Sequence, residues 1–143
     1  MVRPFLKKLL LEEQRHYDHP QLTEEQIDRD VRHPPSAEFS GENIILVARV
    51  GARLCGLCWC VLFDPGTGLE GEVAEVFVDP ADRGKGVGGR LLRQAVDLFR
   101  ERNVTFACVW TRDSNPQAIR LYEEAGFRRT EQLVLTWLPL PGR

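Results

Sequence analysis

The sequence predicts a single α/β or α+β domain whose sheet is antiparallel in its first part and carries packed helices. Three observations predict this class. Two apolar runs meet at Gly51-Ala52, as in a β-hairpin, and a glycine-rich segment leads from a third apolar run into an amphipathic helix. A strand, a helix and a strand then follow in order. With 143 residues, the chain is long enough for one domain with a substantial core.

Two helices are predicted before the first strand. The spacing of apolar residues predicts the first helix over residues 5–16, with a helical repeat of Phe5, Leu6, Leu9, Leu10 and Glu13. Thr23 followed by Gln26 is typical of a capping box and opens a second, short helix. That helix is expected to end before Pro34-Pro35, inside a loop that runs from residue 33 to 41.

Three strands come next, and the first two form the hairpin. Their sequences are NIILVARV, LCGLCWCVLF and EVAEVFV, and Asp79-Pro80 stops the third. The helix after the glycine-rich segment has a buried face at intervals of three and four residues, made of Val87, Leu91, Leu92, Ala95, Val96 and Phe99.

The last elements are predicted from turn and cap residues. TFACVW is a strand, and Asn115-Pro116 starts a helix because asparagine caps well and proline suits the first helical position. Gly126 ends that helix, and QLVLTW is predicted as the final strand.

Composition and charge exclude several classes of protein. There are 19 basic and 21 acidic residues, so no basic excess suggests a nucleic-acid partner. Lys7 and Lys8 interrupt the N-terminal apolar run, which argues against a signal peptide. No apolar stretch approaches the roughly 20 residues of a membrane span. We therefore expect a cytoplasmic protein without membrane partners, whose thiols stay reduced.

The stretch CGLCWC, residues 55–60, raises the question of a metal or redox site. The sequence places it within a strand, where alternation predicts Cys58 and Cys60 on one face and Cys55 on the other. A zinc knuckle bends so that its sulfurs converge, whereas an extended strand points them apart. Cys108 is isolated, and the histidines have no ligand spacing. We expect no metal and interpret the cysteines as small buried apolar residues rather than nucleophiles.

The glycine-rich segment DRGKGVGGRLL, residues 82–92, is the candidate binding site. Glycines allow close backbone approach, and free N–H groups at a helix start attract anions, so the segment is a potential diphosphate cradle. Gly84, Gly86 and Gly89 also fit a dinucleotide fingerprint, but DPADR separates the first of them from the preceding strand. A dinucleotide site is therefore disfavoured without being excluded, and a ligand-free surface loop is the other alternative.

Two motifs in order carry a resemblance to a known family. Arg83, Gly86 and Gly88 match an R/Q-x-x-G-x-G/A signature, and a second pattern is N-x-x-A-x-x-x-Y-x-x-x-G-F, at Asn115, Ala118, Tyr122, Gly126 and Phe127. Together they resemble the GNAT superfamily of N-acetyltransferases, closely over residues 44–137 and only in outline before that. The resemblance implies a mixed, mostly antiparallel sheet flanked by helices on both faces.

The resemblance implies that residues 1–143 form one N-acetyltransferase domain. Residues 1–40 would be its helical acceptor-side region, and residues 44–137 would be its sheet and acetyl-CoA-binding core. Members of the family usually begin with a strand, but only Val2-Arg3 precedes Pro4, so that strand is expected to be vestigial or trimmed. The closing segment QLVLTWLPL is apolar and is expected to pair with another chain if the protein is a homodimer.

The resemblance also implies an acetyl-CoA-dependent reaction, in which an acetyl group passes directly to a primary amine. The backbone of Val76, Phe77 and Val78 would pair with the pantetheine arm, and a bulge would open the sheet there. The pyrophosphate would be held by the loop residues Arg83, Gly84, Lys85, Gly86, Val87, Gly88 and Gly89. Asn115 would hydrogen-bond the pantetheine, and Tyr122 would protonate the departing thiolate.

The resemblance implies a carboxylate base on the strand before the loop, and Glu72 and Glu75 both lie there. Glu72 is the first candidate for the base, because it lies where several members of the family place theirs. Alternation puts the two on opposite faces of the sheet unless a bulge changes the parity. Each of these residues also has a purely structural interpretation. The glutamates would then face solvent, Tyr122 would be a half-buried helix tyrosine, and Asn115 would be an ordinary helix cap.

The acceptor is expected to be a small-molecule or peptide amine of unidentified structure. The main alternative to an enzyme is a non-catalytic acyl-CoA-binding sensor or regulatory domain, which would keep the glycine loop and tolerate the loss of Tyr122.

Overall fold

The computed structural model describes residues 2–13, 15, 22–32, 41–65 and 68–137. Residues 33–40 of the predicted loop, residues 14 and 16 of the predicted first helix and all three histidines lie outside this range. In chain order the elements are α1 (Arg3–Glu13), α2 (Glu24–Arg32), β1 (Glu42–Val50), β2 (Arg53–Phe63), β3 (Glu70–Val78), α3 (Val87–Glu101), β4 (Phe106–Val109) and α4 (Pro116–Glu124), with a 3-10 turn at Pro80–Asp82 between β3 and α3.

The sheet is mixed and mostly antiparallel, as predicted. Its strand order is β1-β2-β3-β4; β1 with β2 and β2 with β3 pair antiparallel, and β3 with β4 pair parallel. Helices cover both faces. α3 buries Leu92 and Phe99 in the larger core cluster on one face, whereas α1 packs Phe5 against Phe77 on the other, with ring centroids 5.1 Å apart.

Local signals placed the helix ends correctly. The Thr23 N–H donates to the Gln26 side-chain oxygen at 2.8 Å, and the Gln26 N–H donates to the Thr23 hydroxyl at 3.3 Å, which is the predicted capping box. The Asn115 side chain caps α4 by accepting from the Ala118 N–H at 3.2 Å. Gly126 follows α4 with a φ of 103°, a left-handed conformation that favours glycine.

A bulge in β2 makes the prediction for Cys55 wrong. The β1–β2 register passes from Ala48 opposite Gly56 to Arg49 opposite Leu54, so Cys55 is the extra residue. An extra residue shifts the alternation of a strand by one position. As a result, Cys55 is buried in the same core cluster as Cys58 and Cys60, although alternation had put it on the opposite face.

A second bulge lies in β3. Trp59 pairs with Glu75, but Cys60 pairs with Val73, so Ala74 is the extra residue. Val73 before the bulge and Val76 after it both pack in the cluster beneath α3, which confirms that the parity changes between them. This change of parity determines which way the candidate catalytic glutamates face.

The predicted final strand is wrong for the isolated chain. Residues 132–137 have neither helical nor strand structure and lie exposed. A strand exists only where its backbone groups are paired, and alternation in the sequence does not supply a partner. Among the described strands, the outer edge of β4 has no neighbour, so β4 ends the sheet.

Leu92 provides a direct test of the core on the α3 side. Its side chain is fully buried, with 0% exposure. We expect Leu92→Ala to lower the free energy of unfolding by about 2–5 kcal/mol, since it removes buried methyl groups and leaves a cavity. Urea unfolding would measure this, with the same change at the partly exposed Leu10 as control. Equal losses at the two positions would contradict the described core.

Candidate active site

The candidate site begins where β3 separates from β4. The two strands pair only from Glu70 with Phe106 to Val73 with Val109. Beyond the Ala74 bulge, β3 continues to Val78 with no described strand on its β4 side. From Ala74 to Val78, one backbone edge of β3 therefore has no described strand beside it and faces the gap that opens between β3 and β4.

Hydrogen bonding shows which amides face this gap. The Asp79 N–H donates to the Cys55 carbonyl of β2 at 2.8 Å. Because backbone groups alternate between the two edges of a strand, Val76 and Val78 direct theirs toward the gap, and Phe77 directs its own toward β2. The Arg83 Nε donates to the Val78 carbonyl at 3.1 Å, as this direction requires. Of the three residues predicted to pair with a ligand, Val76 and Val78 have the suitable orientation.

The glycine-rich loop connects this edge to α3. Gly84 and Gly86 have φ values of 78° and 77°, so each holds a conformation that side chains rarely adopt. A Cβ built at either residue meets nothing within 4 Å, so the loop leaves open space there. Gly86 is the N-cap of α3 without a side-chain cap, and the first N–H groups of a helix have no partner within it. The loop thus offers free donors beside an open volume.

Gly88 lies where β3, α3 and α4 meet. A Cβ built on it would be 3.3 Å from the Leu121 side chain of α4 and 3.7 Å from that of Val78. Its small size therefore lets α4 approach the start of α3. The same contact brings α4, which carries Asn115 and Tyr122, to the end of β3.

Ion pairs support the loop from two sides. The Asp82 carboxylate, whose side chain is nearly fully buried, accepts from Arg53 at 2.8 Å and from Lys85 at 3.3 Å. The Arg53 hydrogen bond is the main reason that the pKa of Asp82 is lowered, and Lys85 adds to it. Lys85, which had been expected only to face a ligand, is thus also part of the internal support of the loop.

Helix α1 supports the other side of the site. The Arg83 guanidinium lies 3.7 Å from the Glu12 carboxylate and 5.7 Å from the centroid of the Phe77 ring. Lys8 pairs with Asp79, and this hydrogen bond, followed by the one from the Ala81 N–H, lowers the pKa of Asp79. Sequence reasoning missed these contacts. The only signal was the pair of acidic residues flanking Pro80-Ala81, and their partners lie far away along the chain.

Asn115 and Tyr122 lie at the start and near the end of α4. The Asn115 side-chain oxygen is used in the helix cap, so its amide nitrogen is the group suited to donate outward. Tyr122 is half-buried against the larger core cluster, with its ring edge-on to Phe127 at 6.2 Å between centroids. Asn115 is therefore a cap, and that role is compatible with a ligand contact.

The bulge decides how Glu72 and Glu75 are oriented. Gly71 and Val73 face α3, so Glu72, between them, faces the α1 side. After the bulge Val76 faces α3 and Phe77 faces α1, so Glu75 also lies on the α1 side. Alternation alone had put the two carboxylates on opposite faces unless a bulge changed the parity, and the Ala74 bulge does change it. Both are half-buried.

Three of the four cysteines are buried in the core, as predicted, whereas Cys108 is only half-buried. Cys55, Cys58 and Cys60 are buried free thiols, and the sulfurs of Cys58 and Cys60 are 3.8 Å apart. The contact with Cys60, together with burial, raises the pKa of Cys58. Burial, with the nearby charge of Glu72, raises the pKa of Cys108 as well. Cys58 and Cys108 therefore stay protonated, which disfavours a thiolate nucleophile at either position.

None of the helices in the described part of the chain is both long and apolar enough to cross a membrane.

The chain resembles known proteins in both sequence and fold. Residues 4–127 match the model of the family described as Acetyltransferase (GNAT) family. The chain is 30% identical over 115 residues to a mycothiol acetyltransferase of Thermobispora bispora, covering 78% of this chain and 39% of that protein. It is 35% identical over 95 residues to an uncharacterized N-acetyltransferase of Archaeoglobus fulgidus, covering 66% of this chain and 59% of that one. The match thus spans less than two thirds of either relative.

Solved structures share the fold at low identity. An integron cassette protein from the mobile metagenome of V. cholerae superposes with a TM-score of 0.74 at 19% identity, covering 96% of this chain and 86% of that one. A putative acetyltransferase from Agrobacterium tumefaciens gives 0.73 at 18% identity, covering 96% and 94%. These likenesses establish the mixed sheet with flanking helices.

Proposed function

The chain belongs to the GNAT family of acetyltransferases, and from this premise we propose that it transfers the acetyl group of acetyl-CoA directly to a primary amine. One observation carries the proposal: the unpaired edge of β3 runs into a glycine-rich helix start. An extended, amide-bearing arm followed by a diphosphate requires those two features in that order. Acetyl-CoA has this chemistry and supplies an activated thioester.

The residues present fit such a ligand. Val76 offers its N–H and carbonyl along the open edge, and Val78 offers its N–H while its carbonyl accepts from Arg83. The space beside Gly84 and Gly86 suits an anion near the first N–H groups of α3. Arg83 adds a cation close to the same edge. In this proposal Val76 and Val78 bind the pantetheine arm, residues 83–89 bind the pyrophosphate, and the amide nitrogen of Asn115 donates to the arm.

The proposed chemistry uses two proton transfers. A backbone N–H of β3 polarises the thioester carbonyl, a role that pre-oriented amides perform well. Tyr122 donates its phenol proton to the sulfur as the carbon–sulfur bond breaks. Glu72, or Glu75 beside it, accepts a proton from the amine, because only the neutral amine attacks. Both carboxylates face the α1 side, so we place the acceptor on that side of the sheet.

The acceptor is proposed as a small-molecule or peptide amine. The similar proteins do not identify the acceptor, since they include mycothiol acetyltransferases and an aminoglycoside acetyltransferase. The four free cysteines are consistent with a reducing compartment, and we propose that the reaction takes place in the cytoplasm.

Calorimetric titration with acetyl-CoA, with CoA and NAD as comparison ligands, tests the cofactor first. We expect saturable binding of acetyl-CoA and none of NAD. A panel of amines should then release the CoA thiol. Binding without thiol release from any amine would favour a non-catalytic acyl-CoA sensor, and NAD binding alone would favour a dinucleotide site.

Glu72→Gln and Glu75→Gln form a matched pair, because both side chains are half-buried on the same strand and face. We expect Glu72→Gln to lower kcat about 100-fold and to move the acidic limb of the pH profile of kcat/KM to higher pH, because the amine must then lose its proton without help from a carboxylate. Glu75→Gln should leave that limb in place. Rates measured from pH 5 to 10 would decide, and a reversed result would make Glu75 the base.

A further inference from the structure

An aromatic side chain lies at the centre of the sheet face that carries the candidate glutamates. Trp59 is flanked in β2 by Cys58 and Cys60, which pack beneath α3, so its indole is on the opposite face, the α1 side. The indole is half-buried at the margin of the smaller core cluster. Its Nε1 donates to the Asn43 side-chain oxygen of β1 at 2.8 Å. This hydrogen bond fixes the orientation of the ring on the face.

Carboxylates and apolar side chains run beside each other on this face. Three cross-strand pairs each join one side chain of β2 to one carboxylate of β3: Trp59 with Glu75, Val61 with Glu72, and Phe63 with Glu70. Leu62 and Gly71 face α3, which puts their neighbours Phe63 and Glu70 on the α1 side as well. Side chains directly opposite in an antiparallel pair lie about 5 Å apart at Cβ. A cation bound at one of these carboxylates would therefore have an apolar or aromatic surface within reach.

Charge and exposure indicate what this face can bind. Ile45 and Phe63 are 38% and 36% exposed, although both side chains are large and apolar. Glu70, Glu72 and Glu75 are half-buried, and among the described residues neither Glu70 nor Glu72 has an ion pair. A ligand with a positive group and an apolar body would neutralise the carboxylates and cover the exposed apolar surface. An anionic group on the ligand would be repelled by the same carboxylates.

Trp59 is the side chain of this face best suited to select such a ligand. An indole attracts an ammonium group to its face more strongly than the ring of phenylalanine or tyrosine does, and it also offers a large apolar contact surface. The indole lies opposite Glu75 and one cross-strand pair away from Glu72. An amine that gives its proton to either carboxylate is therefore within reach of the ring.

On the premise that the chain transfers an acetyl group to an amine, we propose that Trp59 determines which amine is accepted. The acceptor is a primary amine with an apolar or aromatic body and without an anionic group. Its amine lies at Glu72 and Glu75, and its body lies over Trp59 and Val61. Asn43 is a positioning residue, because it acts through the indole that it holds.

Two matched pairs of amines test the acceptor class with the protein as it is. 2-Phenylethylamine and ethanolamine share a two-carbon amine and differ in a phenyl against a hydroxyl group. Phenylalaninol and phenylalanine differ in a hydroxymethyl group against a carboxylate. With thiol release from acetyl-CoA as the assay, we expect kcat/KM to be about 10-fold or more higher for the first member of each pair, mainly through KM.

The outcomes separate the acceptor class from acetyl transfer itself. Equal or reversed values of kcat/KM within either pair would overturn the proposed acceptor class and leave acetyl transfer intact. The same holds if none of the four amines reacts but another amine does. If no amine at all releases the thiol, acetyl transfer to an amine is wrong, and the role of Trp59 is wrong with it.

Trp59→Leu tests whether the ring is the source of the selectivity. The substitution keeps an apolar side chain but removes the aromatic face and the N–H donor. We expect it to lower the ratio of kcat/KM for 2-phenylethylamine over ethanolamine about 10-fold. The affinity for acetyl-CoA, measured by calorimetry, should stay the same and reports that the variant is folded. An unchanged ratio would contradict selection by Trp59.

Asn43 provides a second test that leaves the ring in place. Asn43→Ala removes the acceptor of the indole N–H, and we expect the same ratio to fall about 3-fold as the ring loses its fixed orientation. Asn43→Asp keeps an acceptor oxygen and should restore the ratio. A merely structural role would slow both amines equally and leave the ratio unchanged. That result, or an equal fall of the ratio in the two variants, would overturn the positioning role of Asn43.

Discussion

Gly86→Glu is expected to weaken acetyl-CoA binding on the order of 100-fold or more. Gly86 caps α3 beside its free N–H groups, and nothing lies within 4 Å of a Cβ built there. A glutamate would occupy the space proposed for the pyrophosphate, and its negative charge would repel the phosphates and satisfy the same donors. Calorimetric titration of the purified variant measures the change.

Gly51→Glu is the matched control. Gly51 also has a positive φ, 60°, and open space around a built Cβ, but it lies in the β1–β2 turn. Both variants place a side chain at a positive φ and add the same charge, so a difference in binding reports the position of the ligand. Equal affinities in the two variants would place the diphosphate away from the α3 start.

Gly86→Asn separates shape from charge. Asparagine tolerates the left-handed conformation better than most residues and carries no charge. We expect an intermediate loss of affinity, since the side chain still narrows the cradle. A loss as large as that of Gly86→Glu would mean that volume alone decides binding.

The sequence contained most of the local structure because helix ends and tight turns depend on neighbouring residues. Thr23 and Gln26 cap each other within one turn, and Asn115 with Gly126 delimits α4. The motif residues Arg83 to Gly89 are likewise contiguous. Features that depend only on adjacent residues, such as helix caps and turns, can therefore be predicted from the sequence.

The family resemblance implied a bulge in β3, but the residues alone could not locate either bulge, because an extra residue is defined only by the strand opposite. Ala74 is an ordinary strand residue until its register against β2 is known. Yet the bulge turns Glu72 and Glu75 to one face and begins the stretch of β3 that β4 leaves unpaired. The feature with the largest consequence for the site was therefore nonlocal.

The ion pairs that support the glycine-rich loop could not be predicted either, because their partners are distant in the sequence. Asp82 and Arg53 are 29 residues apart, and Lys8 and Asp79 are 71 apart. No periodicity relates such partners. The final strand shows the opposite error: QLVLTW has the alternation of a strand, but strand structure requires a neighbour, and the described chain provides none.

Tyr122→Phe is expected to lower kcat about 100-fold while leaving the affinity for acetyl-CoA nearly unchanged. The substitution removes only the hydroxyl, so the edge-on contact of the ring with Phe127 and its packing against the core remain possible. A proton donor acts only as the thiolate leaves, so its loss should appear in turnover rather than in binding. Thiol release, measured with the best amine from the panel, gives kcat, and calorimetry gives the affinity.

The chemistry of the leaving group distinguishes proton donation from a structural role. An acetyl thioester of a more acidic thiol needs less protonation as it departs, so the Tyr122→Phe defect should shrink with such a donor. A positioning defect would slow both donors equally. Unchanged turnover with acetyl-CoA would remove Tyr122 from the mechanism and leave it as a half-buried packing residue. In that case backbone amides and water would have to stabilise the departing thiolate in place of a phenol proton.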